Sequence, residues 1–292
     1  MAHESRRTQL AEVAQGPVEF RLDRRGPATV VILYGGHMRA ELALGEEVFA
    51  QAGCSILVPS RPGYGATPIS TGRSQGGFAD VSAALCARLG ITEVAAVVGV
   101  SGGGPTAVTM AARHPALVRR LILQSAVGPL PWPDRRTYLG AHVLFAPRVE
   151  RGTWAGVRTL LRYAPDAGLR MLLHHLTTLP VRDVVAGLSP ESRAELVALF
   201  SRMRSGHGFL NDLKTTRHPV PPANGITQPA LVIASRRDGA VPFAHAQALV
   251  AALPHAQRVE SRSDSHLIWF GEDWPSIAER IRAFLGPGSR PA

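Results

Sequence analysis

The stretch Glu93–Arg113, EVAAVVGVSGGGPTAVTMAAR, decides how the chain is read. Glu93 to Val100 is a continuous apolar run of strand length, and Thr106 to Arg113 reads as a helix stopped before Pro115. Between them, Gly99-Val100-Ser101-Gly102-Gly103 fits G-x-S-x-G. Gly and Ser are common, so the pattern gains meaning only from its setting between a buried strand and an opening helix. A serine hydroxyl is a weak nucleophile and needs a fixed, exposed position where a base can take its proton. The flanking glycines remove side chains that would clash in so tight a turn. The helix N-terminus that follows favours developing negative charge. The competing readings are a structural serine in a glycine-rich turn and a phosphate-binding turn. The segment has neither G-x-x-x-x-G-K-[ST] nor G-x-G-x-x-G, which disfavours phosphate.

Outward from this stretch, strand-like and helix-like segments alternate, the signature of a sheet with helical crossovers. Upstream, strands are expected at Val18–Leu22, Thr29–Tyr34 and Ser55–Pro59, and helices at Glu41–Gln51 and Ser74–Leu89. Val118–Gln124 is the next strand downstream. From about Gly128 to Pro222 no convincing strand is found, and Thr153–Tyr163, Asp166–Thr178 and Ser189–Met203 read as helices. Ser189 as N-cap, Pro190 at the first helical position and Glu191 in the first turn mark the start of the last one. Alternation returns with strands at Ala230–Ala234 and Gln257–Ser261 and helices at Phe243–Ala252 and Trp274–Leu285, ahead of a tail, Gly286–Ala292, expected to fray. The expected organisation is a core of residues 1–127 and 223–292 interrupted by a helical insertion over 128–222.

The chain has 292 residues, 45% of them apolar, enough for one sizeable core and a modest insertion. No apolar run approaches the roughly 18 to 20 residues of a membrane-spanning helix, and Met1–Gln15 lacks the hydrophobic segment of a signal peptide. Cys54 and Cys86 lie in no Cys/His cluster, so metal and redox sites have no support. A cytoplasmic protein, without membrane or cofactor, is the expectation, with a homodimer left open. The net charge of +10 comes from arginines scattered in pairs, with Lys214 the only lysine. Without a basic block this reads as solvated surface rather than a nucleic-acid interface.

Given a nucleophile at Ser101, a base and an acid are needed. His266, in Asp264-Ser265-His266-Leu267 after the last strand, follows both Ser101 and Asp238 in the chain and is preferred over His37, His114 and His175. Asp238, in Ser235-Arg236-Arg237-Asp238-Gly239 just past a strand, can orient an imidazole; its bland reading is a turn or N-cap aspartate. Asp264 is the runner-up, but would have to fold back on its neighbour. Acyl transfer also needs fixed N–H donors for the oxyanion. The backbone N–H of Gly102 is one; Gly36, after the TVVILY strand, is the choice for the second, with His37 behind it.

With these residues in place, the chain resembles the α/β-hydrolase fold family over roughly Val18–Leu285. The likeness is carried by Tyr34-Gly35-Gly36, Arg61-Pro62-Gly63-Tyr64-Gly65, the elbow Gly99–Gly103, Asp238 with Val241-Pro242, and His266. It implies a mostly parallel central sheet flanked by helices, a serine–acid–histidine order, and a helical cap where Gly128–Pro222 stands. Two features depart from common members. Tyr34-Gly35 replaces His-Gly, and the nucleophile is serine, unlike the aspartate of haloalkane dehalogenases and epoxide hydrolases. The expected activity is hydrolysis of a small-molecule, ester-like acyl substrate through an acyl-enzyme. The same site suits an aminopeptidase, lactonase, thioesterase, carbon–carbon bond hydrolase or cofactor-free peroxidase, and a small-molecule receptor can share the scaffold. Trp132, Tyr138, Trp154 and Tyr163 of the insertion are expected either to wall the pocket or to form the insertion's own core.

Overall fold

The computed structural model describes residues 6–217 and 225–286. Its centre is an eight-stranded sheet: β1 (Gln9–Val13), β2 (Gly16–Asp23), β3 (Thr29–Leu33), β4 (Ser55–Pro59), β5 (Ala96–Val100), β6 (Leu121–Gln124), β7 (Ala230–Ser235) and β8 (Ala256–Ser261). The spatial order is β1-β2-β4-β3-β5-β6-β7-β8; the β1–β2 and β2–β4 pairings are antiparallel, and the remaining five are parallel. The apolar runs read from the sequence are thus inner strands of a parallel sheet, covered on both faces. Alternate residues go to opposite cores: Val30 and Ile32 of β3 and Ala96, Val98 and Val100 of β5 enter one apolar cluster, while Val31, Leu33 and Val97 enter the other.

Helices α1 (Glu47–Gln51), α2 (Gln75–Arg88) and α3 (Gly104–Arg113) follow β3, β4 and β5, and α10 (Ala244–Ala252) and α11 (Trp274–Leu285) follow β7 and β8. Between β6 and β7 the described residues form six helices: α4 (Arg135–Leu144), α5 (Glu150–Tyr163), α6 (Pro165–Leu173), α7 (Val181–Gly187), α8 (Pro190–Arg202) and α9 (Gly208–Thr216). The Ser189 hydroxyl caps α8 by accepting from the Ser192 N–H at 3.1 Å, as its sequence signature suggests. The end of the expected insertion and the expected frayed tail fall on residues 218–224 and 287–292, outside the described residues.

Two expected helices are shorter than their periodicity implied. Glu41–Gln51 is helical only from Glu47, because Gly45 takes a left-handed conformation and Glu46 turns inward to Arg21 and Tyr34. Asp166–Thr178 is helical only over Pro165–Leu173; the backbone at Leu176 and Thr178 instead bonds to the loops of Asp238 and His266. The edge strand β1 and helices α4, α7 and α9 add to the elements read from the sequence. The sequence QLAEV of β1 offers no apolar run, and its exposure matches an edge position.

The parallel strands bring their carboxyl ends to one side of the sheet, where open α/β sheets form their crevices. Gly35-Gly36 follows β3, Ser101 follows β5, Asp238 follows β7 and His266 follows β8. Among the described residues, no helix is long and apolar enough to cross a membrane.

Candidate active site

Ser101 sits directly after β5 with φ +50, a left-handed conformation that serine adopts at a cost of about 1–3 kcal/mol. Close packing around the turn holds it there. A Cβ on Gly103 would lie 2.0 Å from the Leu33 carbonyl oxygen, and one on Gly35 would lie 2.6 Å from Ser101 Cβ. Only glycine fits either place. The Ser101 carbonyl accepts the Val127 N–H at 3.0 Å. The residue is half-buried, and its hydroxyl makes no hydrogen bond among the described residues. Ser101 thus stands on a tight strand-to-helix turn with a positive φ and a hydroxyl that has no hydrogen-bond partner among the described residues.

Asp238 and His266 meet: His266 Nδ1 lies 2.6 Å from Asp238 Oδ2, with both side chains buried. The other carboxylate oxygen, Oδ1, accepts the N–H groups of Ala240 and Val241, each at 2.8 Å. An ionised carboxylate only accepts, so Nδ1 donates across this contact, and the neutral tautomer that fits it has Nε2 unprotonated. Nε2 has no partner among the described residues, and no hydrogen bond joins it to Ser101. The loop of His266 is tied toward the side of the sheet that carries Ser101, since the Ser125 hydroxyl donates to the His266 carbonyl at 2.8 Å and β6, which ends at Gln124, pairs with β5.

The segment Leu176–Thr178, whose role sequence reasoning missed, laces the loops of Asp238 and His266 together. The Leu176 carbonyl accepts from His266 at 2.7 Å and from Gly239 at 3.2 Å, and the Thr178 N–H donates to the Arg237 carbonyl at 3.0 Å. Thr177 forms an antiparallel bridge with Asp238, and its hydroxyl donates to the Asp264 carbonyl. The local sequence carries no distinctive signal for this, because apart from the Thr177 hydroxyl the bonds use backbone groups.

The rival residues go elsewhere. Asp264 pairs with Arg237 at the surface, His114 pairs with Asp80, and His175 is exposed beside His174. His37 takes φ +66 and stacks near Phe209, Phe145 and Trp154, with centroids 4.1, 4.9 and 5.2 Å away. Burial among these rings pushes its imidazole down to about 3. Its Nδ1 lies 2.8 Å from the Ser205 hydroxyl, which accepts the Trp154 indole N–H at 2.8 Å and so is free to donate to the neutral ring.

Gly36 and Gly102 face one another across the turn: a Cβ on Gly102 would lie 3.9 Å from the Gly36 nitrogen. Tyr34, in place of the more common histidine, sends its hydroxyl into the core, donating to Glu46 Oε1 at 2.6 Å and accepting from the Leu44 N–H at 2.8 Å. Glu46 in turn pairs with the buried Arg21.

Of the insertion's aromatic residues, Trp154 does reach the site, through His37. Phe145 and Phe209 do so as well, and these the sequence did not single out; their only signal was an aromatic at the end of α4 and another opening α9. Tyr163 is 75% exposed and cannot wall a pocket. Trp132 instead pins the insertion to the core, its indole N–H donating to the Ala240 carbonyl at 2.7 Å, and Tyr138 lies under the Arg217 guanidinium. Among the described residues no group of three or more His, Cys, Asp or Glu side chains could hold a metal ion.

Residues 29–273 match the α/β-hydrolase fold family. The chain belongs to that family. Hydrolase YcgS of Bacillus subtilis strain 168 is 30% identical over 283 residues, covering 96% of this chain and 99% of that protein. An α/β-hydrolase fold protein from Nakamurella multipartita superposes with TM-score 0.79 at 22% identity, over 96% of this chain and 99% of that one. Esterase RhEst1 from Rhodococcus sp. ECU1013 superposes with TM-score 0.66 at 18% identity, over 97% and 99% of the two chains. These two structures share the fold. The α/β-hydrolase fold thus accounts for the mostly parallel eight-stranded sheet and its flanking helices.

Proposed function

We propose that this α/β-hydrolase cleaves a small-molecule, ester-like acyl substrate through a covalent acyl-enzyme. The buried Asp238–His266 pair carries the reading, because its 2.6 Å contact fixes the tautomer that leaves Nε2 as a base. Ser101 Oγ attacks the acyl carbon while its proton moves to Nε2. The tetrahedral intermediate collapses as the carbon–oxygen bond to the leaving alcohol breaks and Nε2 returns the proton to that alcohol. Water then attacks the acyl-enzyme in the same way, releasing the acid and free Ser101. Asp238 orients His266 and stabilises its charged form throughout. The N–H groups of Gly102 and Gly36 receive the oxyanion, and helix α3 points its positive end at the same place.

The helices between β6 and β7 act here as a cap. Phe145, Trp154 and Phe209 bring apolar surface beside the oxyanion turn, which suits an apolar acyl or alkyl group. An aminopeptidase would need free acidic groups to hold a substrate amine. Glu150 is already occupied by Arg204 and by the N–H groups of Ser205 and Gly206, and Asp166 by Arg193. The name of esterase RhEst1 agrees with the ester reading.

A fluorophosphonate probe combined with turnover of p-nitrophenyl esters tests the proposal. The wild type is expected to be labelled at Ser101 and to turn over many times. Ser101→Ala and His266→Ala are expected to lose activity by about 10⁵-fold or more while keeping the native circular dichroism spectrum. Stoichiometric ester binding without release would sink the enzyme reading in favour of a receptor.

A further inference from the structure

We propose that Asp212, on helix α9 of the insertion, positions the oxyanion turn of the core by holding Arg61 and Tyr64 against the two ends of Gly35-Gly36. The inference rests on the reading of Gly36 as an oxyanion donor and extends it to residues that touch no reacting atom.

The three side chains are buried together, Asp212 and Arg61 each 5% exposed and Tyr64 1%. Both carboxylate oxygens are used. Asp212 Oδ1 accepts from Arg61 Nη1 at 2.6 Å, and Oδ2 accepts from Arg61 Nη2 and from the Tyr64 hydroxyl, each at 2.6 Å. This is the two-pronged arrangement in which a guanidinium is held most firmly. What remains of each partner reaches the turn. Arg61 Nε donates to the carbonyl of Tyr34, immediately before Gly35-Gly36. The Tyr64 hydroxyl lies beside the second glycine, where a Cβ on Gly36 would stand 3.9 Å from its oxygen. A Cβ on Gly102, the other donor residue, would lie 3.8 Å from both Arg61 Nη2 and Asp212 Oδ2. The network therefore backs both halves of the oxyanion hole.

A brace of this kind answers a physical need. Two consecutive glycines have no side chains to anchor them and wide backbone freedom. An oxyanion hole works only if its N–H groups are already aimed when charge develops. The neighbouring His37 is also held in a left-handed conformation, at φ +66, which asks for support from outside the turn. Apolar packing could fill the space, but it has no directionality. A buried ion pair is a poor source of stability, because desolvation offsets most of the attraction. Its geometry is its use here. Because Arg61 and Tyr64 come from the core and Asp212 from the insertion, the placement of α9 and the competence of the catalytic turn are coupled.

The test uses the full chain and the variants Asp212→Asn and Tyr64→Phe. Amide hydrogen exchange is followed in the peptide spanning Tyr34–His37, together with steady-state ester hydrolysis, Ser101 phosphonylation rate and affinity for a trifluoromethyl ketone. Asp212→Asn is expected to speed exchange across Tyr34–His37 by about tenfold or more. It should lower kcat and the phosphonylation rate by about ten- to a hundredfold, with KM within about twofold. Affinity for the trifluoromethyl ketone, which resembles the tetrahedral intermediate, should fall in parallel with kcat/KM. A purely structural role would leave that parallel absent. Tyr64→Phe removes one hydroxyl and is expected to show the same changes at smaller size; it serves if Asp212→Asn does not fold. Unchanged exchange in both variants overturns the proposal. So does faster exchange with kcat and phosphonylation unaltered. A wild type that resists the fluorophosphonate defeats the serine-hydrolase reading instead, while exchange still reports on the brace.

Discussion

Replacing Asp238 by asparagine tests the site at the atom that sets its chemistry. The two oxygens of this carboxylate have different tasks: Oδ1 accepts two backbone N–H groups at 2.8 Å, and Oδ2 meets His266 Nδ1 at 2.6 Å. An asparagine can keep its oxygen only at one of them. Turning the amide nitrogen toward Ala240 and Val241 would leave two buried donors unsatisfied, at about 1–3 kcal/mol each. The oxygen therefore stays at Oδ1, and the amide nitrogen faces His266. Nδ1 must then accept rather than donate, so the proton moves to Nε2, where the base is needed. Inverting the tautomer in this way costs about 10⁴-fold in kcat in a serine protease triad of the same logic. The same loss is expected here, measured with p-nitrophenyl acetate after counting active sites with a fluorophosphonate. Asp238→Ala, which leaves the ring free to choose its tautomer, is expected to be no worse than Asp238→Asn despite the larger deletion. An Asp238→Asn enzyme retaining more than about a tenth of wild-type kcat would refute the assignment of His266 as a base oriented by this carboxylate.

Other expectations follow from single distances and environments. Gly35→Ala would place a methyl 3.1 Å from Ser101 Oγ and 2.6 Å from its Cβ, so the turn or the serine must shift by about 1 Å; a loss of about 10²-fold in kcat/KM is expected, and near-normal turnover would contradict the packing described. The His37 imidazole is held down to about 3 in the folded protein, against about 6.5 when exposed. Between those values the unfolded chain binds a proton that the native state does not. The contribution of this one group to stability is therefore complete above about pH 6.5 and is lost as pH falls toward 3. His37→Asn, which tolerates the left-handed backbone, should flatten the acid-side fall in urea midpoint; an unaltered slope would discount the burial argument. Burial also raises the Cys86 thiol to about 12, so iodoacetamide should leave Cys86 unmodified in the native protein and reach it only on unfolding, as peptide mapping would show.

The strand runs Thr29–Leu33, Ser55–Pro59 and Ala96–Val100 were legible because strands buried on both faces need unbroken apolar sequence, whatever their neighbours. The elbow at Ser101 was legible for a similar reason. Its glycines answer to contacts within a few residues or with the adjacent strand, and so the constraint is written locally. Asp238 and His266 were placed by chain order, and their meeting lies beyond the reach of local pattern. It depends on β7 and β8 lying side by side and on Leu176 of the insertion bonding to both loops. Backbone bonding of that kind is blind to side-chain identity, which is why the helix expected through Thr178 stopped at Leu173.

What the sequence alone determined, then, is the set of parts: a parallel sheet, a serine on a strained turn, and an acid and a histidine after later strands. Tertiary structure alone decided how those parts are aimed. The carboxylate's split duties fix a tautomer, and Arg61 and Asp212, 151 positions apart, converge behind two glycines. The physical reason is range. Propensity, periodicity and steric limits act over a few residues, whereas hydrogen-bond direction is set by whichever groups the completed fold brings within 3 Å.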